Sequence, residues 1–377
     1  MNTIYLDNAA TTPLDSTVIQ TITKVMSETY GNPSSTHQFG RKARTVVEEA
    51  RKSIAKHFNV TAGEIVFTAG GSEADNLILR NAVENLKVKH IISSKIEHHA
   101  VLHTIESIVK ELGISVSYVN LNGKGEVDHK HLEELLKSNS EKTLVSLMYI
   151  NNEIGNILDI ETVCNLCSKY EALFHSDTVQ AIGHYRMDLQ KTPIDFMVAS
   201  AHKFHGPKGV GFAIIKKGFG IKPLLVGGEQ ERGARAGTEN VHNIAGMQTA
   251  LDIAIDNLDK DINYIRGLKQ YFINKLISLD ADIKFNGCSA DADKSSYIIL
   301  NVRLPKDLPM FLFSLDLKGI AASGGSACQS GSAKGSHVLN TILSDSEAQK
   351  TSVRFSFSKF ITKEDLDYTL SVIKTLL

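Results

Sequence analysis

A lysine in an odd setting is the first residue whose type and position suggest chemistry. The stretch Ser200-Ala201-His202-Lys203-Phe204-His205-Gly206-Pro207-Lys208-Gly209 follows the apolar run Phe196-Met197-Val198-Ala199 and leads into another, Gly209 to Ile215. Partial burial and nearby positive charge lower a lysine's pKa, and a partly neutral amine forms a Schiff base with an aldehyde. Ser200 and His202 are then placed to donate to a phosphate while Lys203 holds the aldehyde carbon. A loop with two solvated lysines explains the same stretch, so the lysine alone decides nothing.

Two further constellations change that balance. Ala69-Gly70-Gly71-Ser72-Glu73-Ala74-Asp75-Asn76 follows a strand-like run and opens a helix. Glycines such as Gly71 let backbone approach an anion, helix N–H groups and the dipole favour a phosphate, and Ser72 adds a hydroxyl. Alone this is often only a cap. His175-Ser176-Asp177-Thr178-Val179-Gln180 places an acid at a strand end, where open α/β sheets bind ligands. A carboxylate against a pyridinium nitrogen keeps the ring protonated as an electron sink, and Gln180 is within reach of a ring hydroxyl. A phosphate turn, an acid and a lysine, each at a strand end, are together the parts of a pyridoxal-phosphate site.

The elements that must position these groups alternate along the chain. Period-3.6 patterning predicts helices over Ser16 to Tyr30, Gly40 to Phe58, Glu73 to Glu84, Ala100 to Leu112, His129 to Lys137, Ile160 to Tyr170 and Val241 to Leu258. Short apolar runs between them predict strands at 64–68, 89–93, 115–119, 143–148, 173–176, 196–199 and 209–215. This pattern predicts a mostly parallel sheet covered on both faces. Beyond a soft boundary near residue 257 the character changes. A helix over Asp261 to Leu279 is followed by strand-like runs at 283–285, 297–302 and 352–357, then a helix from Lys363 to Leu377. The expected organisation is a large cofactor-binding domain, 14–257, and a smaller α+β domain made of 1–13 and 258–377. The absence of a Pro/Gly linker predicts that the two pack closely.

Composition excludes several classes. A formal net charge of −1 gives no field toward nucleic acid or anionic membrane. The opening Met1-Asn2-Thr3-Ile4-Tyr5-Leu6-Asp7 has no charged segment followed by an apolar one, and no apolar run reaches membrane length, so a cytoplasmic location is expected. Four cysteines make no disulfide framework. Cys164 and Cys167 form a CxxC, but they fall at helix spacing without a second Cys/His pair and read as core. Cys328 differs. It sits in Ala322-Ser323-Gly324-Gly325-Ser326-Ala327-Cys328-Gln329-Ser330-Gly331-Ser332, a run of small residues that suits a nucleophile on a flexible loop rather than a packed thiol.

In sequence the chain resembles the cysteine desulfurases of the NifS/IscS type, class V aminotransferase-like enzymes with the fold-type I pyridoxal-phosphate architecture. The resemblance runs over nearly the whole chain. It rests on residues 5–13, Gly31-Asn32-Pro33-Ser34-Ser35 with His37, Glu97-His98-His99-Ala100-Val101, Asn151-Asn152-Glu153-Ile154-Gly155, Glu231 to Thr238, the Cys328 loop and Val353-Arg354-Phe355-Ser356. It implies that His98 stacks on the cofactor ring and that Asn152 contacts cofactor and substrate. Thr238 would reach the phosphate of the neighbouring subunit in a homodimer. Arg354 would grip the substrate carboxylate bidentately, and Cys328 would form a persulfide. The implied reaction converts L-cysteine to L-alanine, with Lys203 moving the Cα proton and His98 shuttling another. The sulfur would pass to an acceptor such as an iron–sulfur scaffold protein. The long Cys328 loop resembles the group that does not favour selenocysteine. Gln329, Glu229 and the run Lys334 to His337 depart from the commoner family pattern, and the chain stops at Leu377 without the extension that docks the scaffold in some relatives. A class V aminotransferase or a selenocysteine lyase would share Lys203 and Asp177 without needing Cys328.

Overall fold

Seven short apolar runs pair into one sheet, in the order Ile65–Thr68, Gly211–Ile215, Phe196–Ser200, Leu173–Asp177, Thr143–Ser146, His90–Ser93, Ser115–Tyr118. Only Gly211–Ile215 runs antiparallel to its two neighbours; the other pairings are parallel. The computed structural model describes residues 3–325 and 335–377; Cys328 lies outside them.

Both faces of the sheet are covered. Phe67, Ile92, Val145, Phe174, Met197 and Phe212 face one apolar core, against the helices Ser16–Glu28, Gln38–His57, Ile160–Lys169 and Val241–Asp256. Their strand neighbours Val66, Ile91, Leu144, Phe196, Val198 and Ala213 face the other core, under Gly71–Glu84 and His99–Leu112. The period-two split explains why these strands read as continuous apolar runs. Fully burying one such side chain contributes about 1.5–3 kcal/mol. Cys164 and Cys167 belong to the first core, and burial pushes the Cys164 thiol up to about 12.

A separate apolar core joins Ile4, Leu6 and Ala9 to residues between 265 and 373. It packs a three-stranded antiparallel sheet, Ser352–Ser356, Ile299–Arg303 and Lys284–Phe285, against the helices Leu258–Leu279 and Lys363–Leu376. The sequence reading did not foresee the strand Ile4–Tyr5, which pairs in parallel with Ile320–Ala321. Two residues carry too little periodicity to read. The helix expected from Asp261 begins at Leu258. Leu258 is buried, and Asp259 and Asp261, which look like loop residues, sit in a first turn where the helix dipole favours acids. The helix expected from Glu73 begins at Gly71, because Gly70 turns the chain at φ +152°, a conformation open to glycine, and its carbonyl accepts from Ala74 N.

Candidate active site

The carboxyl ends of the parallel strands open on one cavity. Lys203, Asp177, Gln180, His98 and Asn152 line it, as do Gly71, Ser72, Ser200, His202 and Arg354. Among the described residues, every site residue expected from the sequence except Thr238 meets there.

Lys203 ends a short 3₁₀ turn, Ala201–Lys203, that leaves the strand Phe196–Ser200. Its Nζ donates to the carbonyls of Ala9 at 2.6 Å and Ala10 at 2.8 Å, and its own carbonyl accepts from His184 Nε2 at 2.9 Å. Asp177 ends its strand with Oδ1 accepting from Val179 N at 3.0 Å. Burial raises its carboxyl pKa, opposed by His98, the Val179 amide and Lys203. Gln180 Nε2 donates to the Ala9 carbonyl at 2.9 Å. His98 caps the helix His99–Leu112, its Nδ1 accepting from Ala100 N at 3.1 Å. Burial lowers its pKa, so the ring is neutral and carries its proton on Nε2.

The opposite end of the cavity suits an anion. Gly71 and Ser72 form the first turn of the helix Gly71–Glu84, where backbone N–H groups have no helical partner. A Cβ on Gly71 would come within 2.7 Å of Val179 Cγ2, so only glycine fits the cradle. His202 Nδ1 is buried without a hydrogen-bond partner, and burial followed by Lys203 and Lys208 depresses that imidazole to about 4. An orphaned ring nitrogen, a bare helix turn, a buried acid and a lysine amine fit the phosphate, ring nitrogen and aldehyde of pyridoxal phosphate.

Arg354 is 1% exposed. Its guanidinium is aimed by Asp7 Oδ1 and the Asn152 carbonyl, each at 2.8 Å, while Nε is buried with no acceptor. Arg354 and Ser323 exchange backbone hydrogen bonds, so the chain five residues before Cys328 lies beside the arginine. Thr238 is exposed and lines a separate pocket with Glu231 and Arg235, away from Lys203.

The sequence reading missed two acids and two carbonyls. Asp75 lines the cavity one turn after Gly71 and Ser72; its spacing from them was the available signal. Burial, then Asp177 and Glu97, raises its pKa well above the carboxylate range. Glu97 is buried, its Oε1 accepting from Met148 N at 3.0 Å and Ser94 Oγ at 3.0 Å. Burial, with the Asp177 charge behind it, pushes Glu97 up to about 8. The carbonyls of Ala9 and Ala10 have no side-chain signature at all.

Glu97 makes stability depend on pH. Between the unfolded carboxylate value, about 4.3, and the folded value, the unfolded chain releases a proton that the folded chain keeps, so stability falls as pH rises. Glu97→Gln keeps an acceptor for Met148 N and Ser94 Oγ and cannot ionise. The variant is expected to match the parent near pH 4 and to exceed it by about 2–4 kcal/mol near pH 9. Denaturant midpoints at the two pH values measure this; parallel pH curves would remove Glu97 as the source.

The aminotransferase class-V family model matches residues 4–369. A cysteine desulfurase IscS of Dictyoglomus turgidum is 40% identical over 385 residues, covering 99% of this chain and 94% of that protein. Among solved structures, a NifS-like protein superposes with a TM-score of 0.91 at 35% identity and 99% coverage of both chains. A structure titled SspA in complex with cysteine superposes with a TM-score of 0.81 at 29% identity, covering 96% of this chain and 100% of that one. With this agreement over the full length, the chain belongs to the aminotransferase class-V family and, within it, to the cysteine desulfurases, a group of pyridoxal-phosphate enzymes.

Proposed function

We propose that the cavity binds pyridoxal phosphate at Lys203 and converts L-cysteine to L-alanine, its sulfur passing to Cys328 as a persulfide. The observation that carries this reading is the single cavity holding a lysine amine, a buried acid and a bare helix turn at the strand ends. When bound, the cofactor supplies an electron sink, a protonated ring that accepts the electron pair released at the substrate Cα.

The chain's own groups do the rest. Gly71, Ser72, Ser200 and His202 hold the phosphate. Asp177 holds the proton on the ring nitrogen; a cationic N–H against it returns it to the carboxylate that burial otherwise disfavours. Gln180 and Asn152 fix the ring's polar edge. Arg354, oriented by Asp7, binds the substrate carboxylate. Lys203 Nζ would take the Cα proton. His98 covers the ring and moves a proton at Nε2. The Cys328 thiolate bonds to the substrate sulfur as the Cβ–S bond breaks, the electron pair of that bond staying with carbon. Carbon leaves as alanine once reprotonated, and Cys328 carries one extra sulfur atom.

The proposal extends to assembly and place. Residues 14–257 form the large domain, and 1–13 with 258–377 the small domain carrying the Cys328 loop; the separate core shared by Ile4, Leu6 and residues beyond 265 supports this. Two chains form a homodimer in which each lends Thr238 to its neighbour's phosphate. The exposed Thr238 and the exposed run Leu224, Leu225 and Val226, the last 87% exposed, support that. The enzyme works in the cytoplasm and hands its sulfur to an acceptor such as an iron–sulfur scaffold protein; among the described residues no helix is long and apolar enough to cross a membrane.

A single turnover with L-cysteine, without acceptor or reductant, tests the reaction. The expected result is alanine equal to the enzyme subunits, and a Cys328 peptide heavier by one sulfur atom. A keto-acid product, or alanine with an unmodified Cys328, would contradict it.

A further inference from the structure

The segment that carries Thr238 is held in a conformation it would not adopt alone. Glu231 and Arg232 both lie in the left-handed region, at φ 48° and 56°, although neither is glycine. Such a conformation persists only where surrounding contacts over-determine it. Two ion pairs hold it: one, to Arg51 of the helix Gln38–His57, is also bonded to the strand Ile65–Thr68, and the other lands on the helix that follows that strand.

The first is buried. Arg51 is 3% and Glu231 7% exposed, and their side chains pair bidentately at 2.7 and 2.8 Å. Glu231 Oε2 also accepts from Phe67 N at 2.8 Å, and Arg51 donates to the Ile65 carbonyl at 2.9 Å. This ties the segment to the strand Ile65–Thr68. The second pair is half-buried. Arg235 Nε donates to Glu73 Oε1 at 2.9 Å, and Glu73 Oε2 accepts from Ala69 N at 2.8 Å. Glu73 stands in the same first helical turn as Gly71 and Ser72. The Thr238 segment and the chain's own phosphate cradle are therefore braced to each other, and in the dimer proposed above the two serve different cofactors.

We infer that Glu73 and Arg235 are positioning residues that couple the two cofactor sites of the dimer, so that filling one site's cradle sets the Thr238 segment that completes the other. The inference rests on the reading of Thr238 as a residue given to the neighbouring subunit. Its physical content is a shared ordering cost. An anion on the N–H groups of Gly71 and Ser72 fixes that turn, Glu73 moves with the turn, and Arg235 carries the fixed position to Thr238. The second cofactor then meets a segment already in place, which is positive cooperativity without a change of fold. The coupling is reciprocal between identical sites.

The test titrates cofactor-free dimer with pyridoxal phosphate, following binding by the cofactor's absorbance, with the mass of the protein checked by light scattering. The parent protein is expected to bind with a Hill coefficient of about 1.5, between independent sites and the limit set by two. Arg235→Gln and Glu73→Gln each remove the ion pair; Glu73→Gln leaves an amide oxygen to accept from Ala69 N. Each variant is expected to bring the Hill coefficient to about 1 and to raise the half-saturating concentration about threefold. Combining them should add nothing further, since both break one link. A parent dimer that binds without cooperativity, or variants that retain it, would overturn the coupling. Thr238→Ala separates the underlying reading. If it leaves cofactor affinity in an intact dimer unchanged, or if the protein is a monomer, Thr238 does not serve a neighbour and the coupling falls with it.

Discussion

Cys328→Ala should bind its cofactor normally and release no alanine from L-cysteine. The expected loss is about 10³-fold or more, because no other group is offered to take the sulfur. The three described cysteines cannot substitute. Cys164, Cys167 and Cys288 are buried, and burial raises the pKa of each thiol, which removes the nucleophilic thiolate. In the proposed reaction the steps before sulfur transfer use Lys203, Asp177 and Arg354, all intact in the variant. It should therefore still exchange the Cα hydrogen of cysteine with deuterium from solvent. Alanine formed at the parent's rate would end the role of Cys328. Loss of exchange together with alanine would mean that Cys328 acts earlier than sulfur transfer.

Asp177→Asn should fail at the opposite point. The amide has the size of the acid and can keep the hydrogen bond from Val179 N, but it cannot hold a proton on a ring nitrogen by charge. The electron pair released at Cα then has a weaker sink, and proton removal slows by about 10²–10⁴-fold. The phosphate cradle at Gly71 and Ser72 is untouched, so the cofactor stays bound. Both alanine formation and Cα exchange should fall together, where Cys328→Ala separates them. An Asp177→Asn protein that exchanges at the parent's rate would remove Asp177 from the ring.

The chemistry of the site was more legible in the sequence than its walls. Lys203, Asp177 and the Gly71-Ser72 turn could be read because each follows a run of apolar residues, and a strand end in an α/β sheet has a known relation to the ligand. Asp75 and Glu97 were overlooked because a buried acid inside an amphipathic helix or after a strand resembles any solvated one until packing closes around it. Ala9 and Ala10 contribute only carbonyls. The direction of Gly211–Ile215 was also invisible, since a strand buried on both faces alternates identically whichever way it runs. Thr238 was named only through resemblance; nothing in its own spacing separates it from a surface threonine.

The pairing of the chain's first residues with its last third has a consequence for synthesis. Ala9 and Ala10 wall the cavity and Asp7 aims Arg354, yet Leu6 N reaches Ala321 O at 2.9 Å, and Asn8 Nδ2 and Ala9 N bond Ser356 at 2.8 Å. At about 5–20 residues per second, the ribosome makes residues 6–10 on the order of tens of seconds before their partners. Between the synthesis of Ile215 and that of Ser356, all seven strands of the large sheet exist while Asp7, Asn8 and Ala9 still lack their partners. The full set of walls, with Arg354 aimed by Asp7, is therefore complete only once the last third of the chain has been made.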